Sequence, residues 1–420
     1  MRSGRAVAAR QWPRISVYVI FGRNPDLEAP ITSTATGPAL PPLHRLTFAP
    51  ALPPRPTTLA DGTPAWLVTR YHDVRKVLSD PRFTRDDLNA VGSDGRTAEA
   101  TGNPASIFNL NGADHRRLRL TVQRAFTPRA VESWRPWVAE AVQRAVDDQA
   151  AGGSPADLVA AFTRPVPFAV TSRLMALEGV DETRLHRWSL ALLAEGDQRN
   201  DSVMDEFTSY AADLIARRRR APGDDLVSSL VRAADEDGGI PETWLVYLVC
   251  GLAGSGNESI TGALGNAFVH LLGDRPACWP RLADPAVAER ATERLLHHIP
   301  LGDDDATTRR AVEAVELGGV PIPAGAVVAV SLNSANRDGA VFPDGGLDAD
   351  LAAPLAAPTL AFSAGPHYCL GAWRIRLEMC EALHRLATAL PGLRLADPGA
   401  PIDWQLGGTT RSPSHLPVVW

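Results

Sequence analysis

The sequence predicts a mainly α protein with small β-sheets, built as one domain over residues 55–420 behind a Pro- and Ala-rich segment, 1–54. Three observations carry that prediction. Ala-, Leu- and Arg-rich segments with Pro or Gly at most of the breaks fill the middle of the chain. Strand signals are confined to a few short runs. A long Pro/Gly-rich stretch, Asn336 to Pro366, leads into one last helix, and an irregular stretch of that length inside a compact domain is usually a functional loop.

The elements follow in order. Residues 1–54 are expected to be loosely ordered. Their apolar patch, Ile15 to Phe21, is far shorter than the roughly 20 residues needed to span a bilayer, and no small-residue cleavage pattern follows it, so neither an anchor nor a signal peptide is expected. The Asp61-Gly62 turn opens an apolar run, Ala65 to Thr69, read as a strand leading into the helical pattern Asp73 to Ser79. Helices are predicted at Arg129 to Ala151, Pro155 to Glu178, Asp181 to Ala194, Ser202 to Arg220 and Asp224 to Asp235, and a long apolar one at Trp244 to Leu272. β-Structure returns at Val315 to Ile322 and Val327 to Leu332, and the last helix spans about Leu370 to Leu390.

Composition narrows the function. A hydrophobic fraction of 45% over 420 residues supplies a substantial core. The net charge of -6 and the scattered arginines argue against nucleic acid as a partner. The four cysteines, Cys250, Cys278, Cys369 and Cys380, have no CxxC spacing, which argues against a disulfide framework or a closed zinc site and fits a reducing, cytoplasmic setting without membrane contact.

The most informative residues lie where the irregular stretch meets the last helix: Phe362-Ser-Ala-Gly365-Pro-His367-Tyr-Cys369-Leu-Gly371. A cysteine at the N-terminal edge of a helix sits among unsatisfied N–H groups at the positive end of the dipole, and both stabilise a thiolate. Such a thiolate is a ligand for iron. Gly365 and Gly371 would let the backbone pass close under a flat macrocycle, having no Cβ to collide with it. The plain alternative is a buried free cysteine, which accounts neither for the two glycines nor for the aromatic residue and the histidine at these spacings.

This loop resembles the haem-binding loop of the cytochrome P450 family, and the continuation through Arg376 to Glu378 resembles its bacterial, actinobacterial-type form. The resemblance runs from about Asp61 to the end of the chain and implies a P450-like fold, with haem b between an oxygen-activating helix and the cysteine-loop helix. It assigns Cys369 to the iron. It places Phe362, Gly365, His367 and Gly371 around the cofactor, and Asp114-His115-Arg-Arg-Leu-Arg119 as a helix gripping the haem propionates. His115 and Arg119, four apart, share a helical face and can reach the same carboxylates; Arg116 and Arg117 read better as a solvated face. Arg309 matches a further propionate ligand.

In the long apolar helix the resemblance picks out Gly256, Glu258 and Ser259. Gly256 weakens the helix by roughly 1 kcal/mol relative to Ala, a cost that fits a need for space beside dioxygen. Glu258 and Ser259 form an acid and alcohol pair for proton delivery. The family's usual alcohol is Thr; serine keeps the hydroxyl and loses the methyl that fixes its rotamer. The bland reading is an ordinary helix with a local Ser bond to the preceding turn.

One part of the family pattern is absent. The Glu, Arg and Arg of a structural ion triad fall on Arg294, His297 and Leu351. Losing one partner of a buried triad costs several kcal/mol, whereas replacing the whole set can be neutral, so the change reads as a rebuilt scaffold. Substrate contacts are expected from Phe108 and Leu110 in the loop Gly95 to Asn111. Asp303, Asp304 and Asp305 read either as a recognition element for a cationic substrate or as a solvated bulge. The chain has no flavin domain, no Gly-rich dinucleotide loop and no iron–sulfur cysteine cluster. Electrons are therefore expected from an external ferredoxin and ferredoxin reductase, docking on arginines such as Arg117, Arg124 and Arg374. Three functions stay open: a monooxygenase acting on a small-molecule or peptide secondary metabolite, an oxidase coupling aromatic substrates, and a non-catalytic haem-binding scaffold.

Overall fold

Few breakers interrupt the middle of the chain, and in the computed structural model it is a succession of helices. Residues 40–46, 48–59, 62–85, 103–194, 200–302, 306–343, 350–407 and 409–420 are described. Residues 1–39, Asp61, residues 95–102 of the Gly95 to Asn111 loop and Asp303 to Asp305 lie outside them. Helices Asp201–Arg220 and Leu226–Asp237 start on side-chain caps, Asn200 accepting from the Val203 N–H and Asp225 from the Ser228 N–H. Two predicted helices are divided by proline. The span 129–151 becomes Pro128–Glu132 and Arg135–Gly152, the second with Pro136 in its first turn, a position where the missing N–H costs nothing. The span 155–178 becomes the short strand Ala156–Asp157, a π-turn at Val159–Thr163 and the helix Pro165–Met175.

The helix Glu242–Val269 organises the rest. Every residue from Ile260 to Val269 is buried, as expected of a helix apolar on all sides. Its C-terminal half packs with Ala372–Ala389 and Arg135–Gly152, and its N-terminal half with Glu182–Leu193, Asp201–Arg220 and Leu226–Asp237. Gly265 has a specific duty there: a Cβ would come within 2.9 Å of Pro413 on the terminal strand Thr410–Pro413, whose Arg411 carbonyl accepts from Asn266 Nδ2. Leu43, Leu46 and Phe48 also join the core. The packed body thus begins before residue 54, where the composition alone had placed a loose segment.

A five-stranded sheet runs in the order Arg55–Thr58, Pro64–Val68, Val327–Ser331, Ala306–Ala311, Phe83–Thr84. Only its Pro64–Val68/Val327–Ser331 pair is parallel. Alternation along Ala306–Ala311 turns Arg309 inward, while Arg310 reaches the Gly325 carbonyl at the surface. Gly318 and Gly319, both at positive φ, close the hairpin between Val315–Leu317 and Val320–Ile322.

The irregular stretch is tied to the helix Pro285–His298 by main-chain bonds, and this explains the missing ion triad. Arg294 is buried and donates to the carbonyls of Ala353 at 2.6 Å and Pro354 at 3.0 Å. His297 packs its ring on Phe342, and Leu351 is in the core. From the other side Arg337 reaches the His298 carbonyl and Asn336 the His297 carbonyl. Carbonyl oxygens have taken the place of carboxylates as the acceptors that hold this loop.

Candidate active site

Cys369 is placed by a tight loop ahead of the helix Ala372–Ala389. Its N–H donates to the Phe362 carbonyl at 2.9 Å, Ser363 and Gly365 take positive φ, and the Arg376 guanidinium covers the Phe362 ring at 4.4 Å. Arg119 binds the next strut of the loop, donating to the Tyr368 carbonyl at 2.6 Å. Cys369 is exposed on the open side of its loop; the protein packed behind it pushes the thiol up, while the N–H groups of Gly371 and Ala372 and the cations Arg119 and Arg376 oppose that and favour the thiolate. The two loop glycines have different protein neighbours. A Cβ on Gly365 would meet the Leu78 carbonyl at 2.4 Å, so this glycine lets the loop lie on the end of the helix Tyr71–Ser79. At Gly371 a Cβ would stand at an ordinary 3.9 Å from Cys369 Sγ, and no clash enforces glycine there.

Beside the loop lies a cavity of about 1220 Å³ lined by Arg85, His115, Arg116, Arg119, Arg309 and His367 among others. The helix Gly112–Val122, the strand Ala306–Ala311 and the cysteine loop bring together His115, Arg119, Arg309 and His367, the four residues that the sequence assigned to the propionates. Arg85 is an addition that the sequence reading missed. Arg85 and Arg309 share one neutral acceptor, Thr307 Oγ1, each at 3.3 Å. Burial drives Arg309 down to about 8, with Arg85 adding repulsion, and Arg85 itself down to about 10. The His115 and His367 rings lie 4.2 Å apart. Burial and the surrounding arginines push His115 down to about 4, and burial, Arg85 and His115 push His367 to about 2. Arg85 Nε, Arg309 Nη2 and His115 Nε2 are buried without a partner. Among the described residues the carboxylates lining this cavity are Asp80, bound to Arg82, and exposed Asp114. Desolvated donors of one sign with no anion of their own suit a ligand carrying carboxylates. The two propionates of haem b fit that requirement.

The predicted acid and alcohol do not touch. Glu258 is 1% exposed and turns to the helix Glu182–Leu193, where His186 Nδ1 stands 3.0 Å from its Oε2. His186 Nε2 faces Gln405 Nε2 at 3.1 Å and Arg164 Nη2 at 3.4 Å, while Arg164 also donates to Gln405 Oε1 at 3.0 Å. The latter bond fixes the amide orientation. Both neighbours of Nε2 are therefore donors, so Nε2 is the acceptor and the ring proton sits on Nδ1, donated to Glu258 Oε2. Ser259 is half-buried and makes no bond to the preceding turn; that role falls to Thr261, which bonds to the Asn257 carbonyl at 3.1 Å. Gly256 makes room for a cation: a Cβ would lie 3.0 Å from Arg374 Nη1.

Arg374 corrects the expected docking face. It is buried, held by Glu378 at 2.5 Å and Thr171 at 2.6 Å, and is out of reach of a partner. Burial pushes the Glu378 carboxyl up against the pull of that arginine. Arg117 and Arg124 are exposed as expected, the former paired with Asp237. Phe108 is exposed and does not line the cavity, whereas Leu110 does.

A thiol loop, a cluster of desolvated bases and a long buried helix with an acid–imidazole pair define a haem-protein architecture. No protein-family model matches the chain. Individual proteins do. The chain is 41% identical over 366 residues to mycinamicin IV hydroxylase/epoxidase of Micromonospora griseorubida, covering 86% of this chain and 90% of that protein. It is 39% identical over 367 residues to nocardicin C N-oxygenase of Nocardia uniformis, with the same shares of 86% and 90%. Among solved structures, cytochrome P450mel, described as having biaryl coupling reactivity, superimposes with a TM-score of 0.77 at 33% identity, over 91% of this chain and 97% of that one. The chain belongs to the bacterial cytochrome P450 family. It is an oxidoreductase whose cofactor is haem b, which sets the non-catalytic scaffold aside. Among the described residues no helix is long and apolar enough to cross a membrane.

Proposed function

We propose that this protein is a haem-thiolate monooxygenase acting on a small-molecule or peptide secondary metabolite, with electrons from an external ferredoxin and ferredoxin reductase. The observation that carries the reading is a cavity that the cysteine loop lines through Gly365 and His367, together with Arg85, Arg309 and His115, bases with no anionic partner among the described residues. Cys369 supplies the iron ligand. Arg85, His115, Arg119, Arg309 and His367 bind the propionates, Phe362 with Arg376 stiffens the loop, and Gly365 seats it. Haem so held supplies the redox chemistry that activates dioxygen. The chain's own contribution is to position proton-bearing groups: His186 donates its Nδ1–H to Glu258 and holds that carboxyl in place, and the Ser259 hydroxyl orders water on the neighbouring face of the helix.

Oxygen insertion is supported by relatives named for hydroxylation, epoxidation and N-oxygenation. Oxidative coupling is the second reading, favoured by the coupling reactivity of one structural neighbour and by Ser259 in place of Thr. Turnover of a candidate metabolite with ferredoxin, its reductase and labelled dioxygen tests the choice. A product heavier by one labelled oxygen supports insertion, and a product lighter by two hydrogens supports coupling.

The anion reading predicts that Arg309→Ala and Arg85→Ala each accelerate haem transfer to apomyoglobin. A charge-assisted bond contributes about 1.5–3 kcal/mol, which corresponds to roughly a ten- to hundredfold change. Arg144→Ala, on the exposed face of the helix Arg135–Gly152, should leave the rate unchanged. Docking of an acidic ferredoxin on Arg117 and Arg124 predicts turnover that falls as ionic strength rises, and Arg374 should contribute nothing to that salt dependence. Turnover with a nicotinamide cofactor and no added protein would overturn the external electron source.

A further inference from the structure

Two histidines and an aspartate meet where residues 40–46 lie against the end of the long helix, away from the cysteine loop. His270 and Asp274 are four apart on the π-turn His270–Asp274, closed by the bond from Arg275 N–H to the His270 carbonyl, so their side chains leave the same side of the turn. His44, on the short turn Leu43–Arg45, closes onto them. Its Nε2 contacts Asp274 Oδ2, and His270 Nδ1 stands 3.5 Å from that oxygen. One potential donor atom from each of the three lies within 4.8 Å of the other two.

The second observation concerns partners. Neither ring nitrogen of His270 makes a hydrogen bond, nor does His44 Nδ1, and all are buried. Both imidazoles have side chains only 4% exposed. Buried imidazole nitrogens normally find a partner in the protein or in water; here unpartnered nitrogens of two rings lie beside one carboxylate, with a donor atom of each residue within 4.8 Å of the others.

We propose that His44, His270 and Asp274 bind a divalent transition ion, Zn²⁺ by preference, with water completing a four-coordinate shell. Two imidazole nitrogens and one carboxylate oxygen are a donor set that zinc accepts, whereas Mg²⁺ and Ca²⁺ require oxygen. The π-turn places its two ligands at the i, i+4 spacing by which one helical face grips a metal. The carboxylate, 24% exposed, is the entry side. The neighbouring charged and titratable groups are Arg45, which contacts the other Asp274 oxygen, and His298, close enough to His270 to be coupled to it. Arg45 repels the ion and limits its affinity. The bound ion staples residues 40–46 to the end of the helix that carries Gly256, Glu258 and Ser259.

The test uses untagged, haem-loaded protein stripped with a chelator and titrated with Zn²⁺ by calorimetry, with metal content measured separately from haem iron. Wild type should take up one Zn²⁺ per chain with a higher thermal midpoint. His44→Gln and Asp274→Asn should each weaken binding on the order of a hundredfold, and Arg45→Ala should tighten it. His415→Gln, an exposed histidine elsewhere, should leave it unchanged. Haem content and the reduced carbon monoxide spectrum establish that each variant is folded. The proposal is overturned if wild type takes up no Zn²⁺ at concentrations of about 0.1 mM, a level that would saturate a staple of useful affinity. It is equally overturned if His44→Gln and Asp274→Asn both keep full uptake.

Discussion

Cys369→Ala is expected to abolish the red-shifted Soret band that a thiolate-ligated haem shows when reduced and bound to carbon monoxide. Among the described residues no second cysteine can stand in. Cys250 and Cys278 are buried in the helical cores, where Cys250 has its thiol pushed far up by desolvation. Cys380 lies on the helix Ala372–Ala389, and burial raises it to about 11. Only Cys369 has helix-terminal N–H groups and two guanidinium groups favouring its charged form. The alanine variant should still take up some haem through Arg309, Arg85 and His115, so the band would vanish while a weaker, unshifted one remains. Cys250→Ala and Cys278→Ala should keep the original band. A red-shifted band surviving in Cys369→Ala would remove this residue from the iron.

How much of this was legible in the sequence depends on how local each feature is. The cysteine loop reads directly because its parts are contiguous: a helix start, a thiol and residues at fixed spacings all fall between Phe362 and Gly371. The long helix reads from its apolar run. Helix breaks were placed less well, because Pro136 and Pro165 interrupt patterns whose composition is otherwise continuous. The reasons for the glycines were not legible at all. Gly365 answers to the Leu78 carbonyl and Gly256 to Arg374, partners that only folding brings near. Arg85 looked like any arginine after a short strand until Thr307 and Arg309 closed around it. The terminal strands escaped because pieces such as Pro417–Val419 are too short for any period to show. They pair with Ala156–Asp157 and Arg394–Leu395, distant in the chain.

His186 is the most consequential of the residues that sequence alone could not supply, because it changes what the acid of the helix is expected to do. Glu258 does not lean on Ser259; it accepts the Nδ1 proton of an imidazole whose other nitrogen is fixed by Gln405 and Arg164. The Glu258–His186 pair and the Ser259 hydroxyl are thus separate groups on one helix, and on the proposed function their variants should fail differently. Glu258→Gln removes the ionisable acceptor, and product formation should fall by roughly ten- to a hundredfold, within the range for loss of a positioned acid or base, with the haem spectrum intact. His186→Phe should reproduce that slowing, since it leaves Glu258 with no donor, while His186→Gln should recover part of the rate by restoring a hydrogen bond without a titrating ring. Ser259→Ala should instead keep electron consumption and lose product, with hydrogen peroxide released in its place. Ser259→Thr should keep or improve the ratio of product to electrons if insertion is the native reaction. A coupling oxidase whose substrate carries its own hydroxyl groups would tolerate Ser259→Ala far better, so this one variant also discriminates between the two chemistries. Unchanged rates and ratios in Glu258→Gln, His186→Phe and Ser259→Ala together would return Gly256 to Ser259 to the status of an ordinary buried helix, and would leave His186 as a packing contact whose hydrogen bond serves the fold alone.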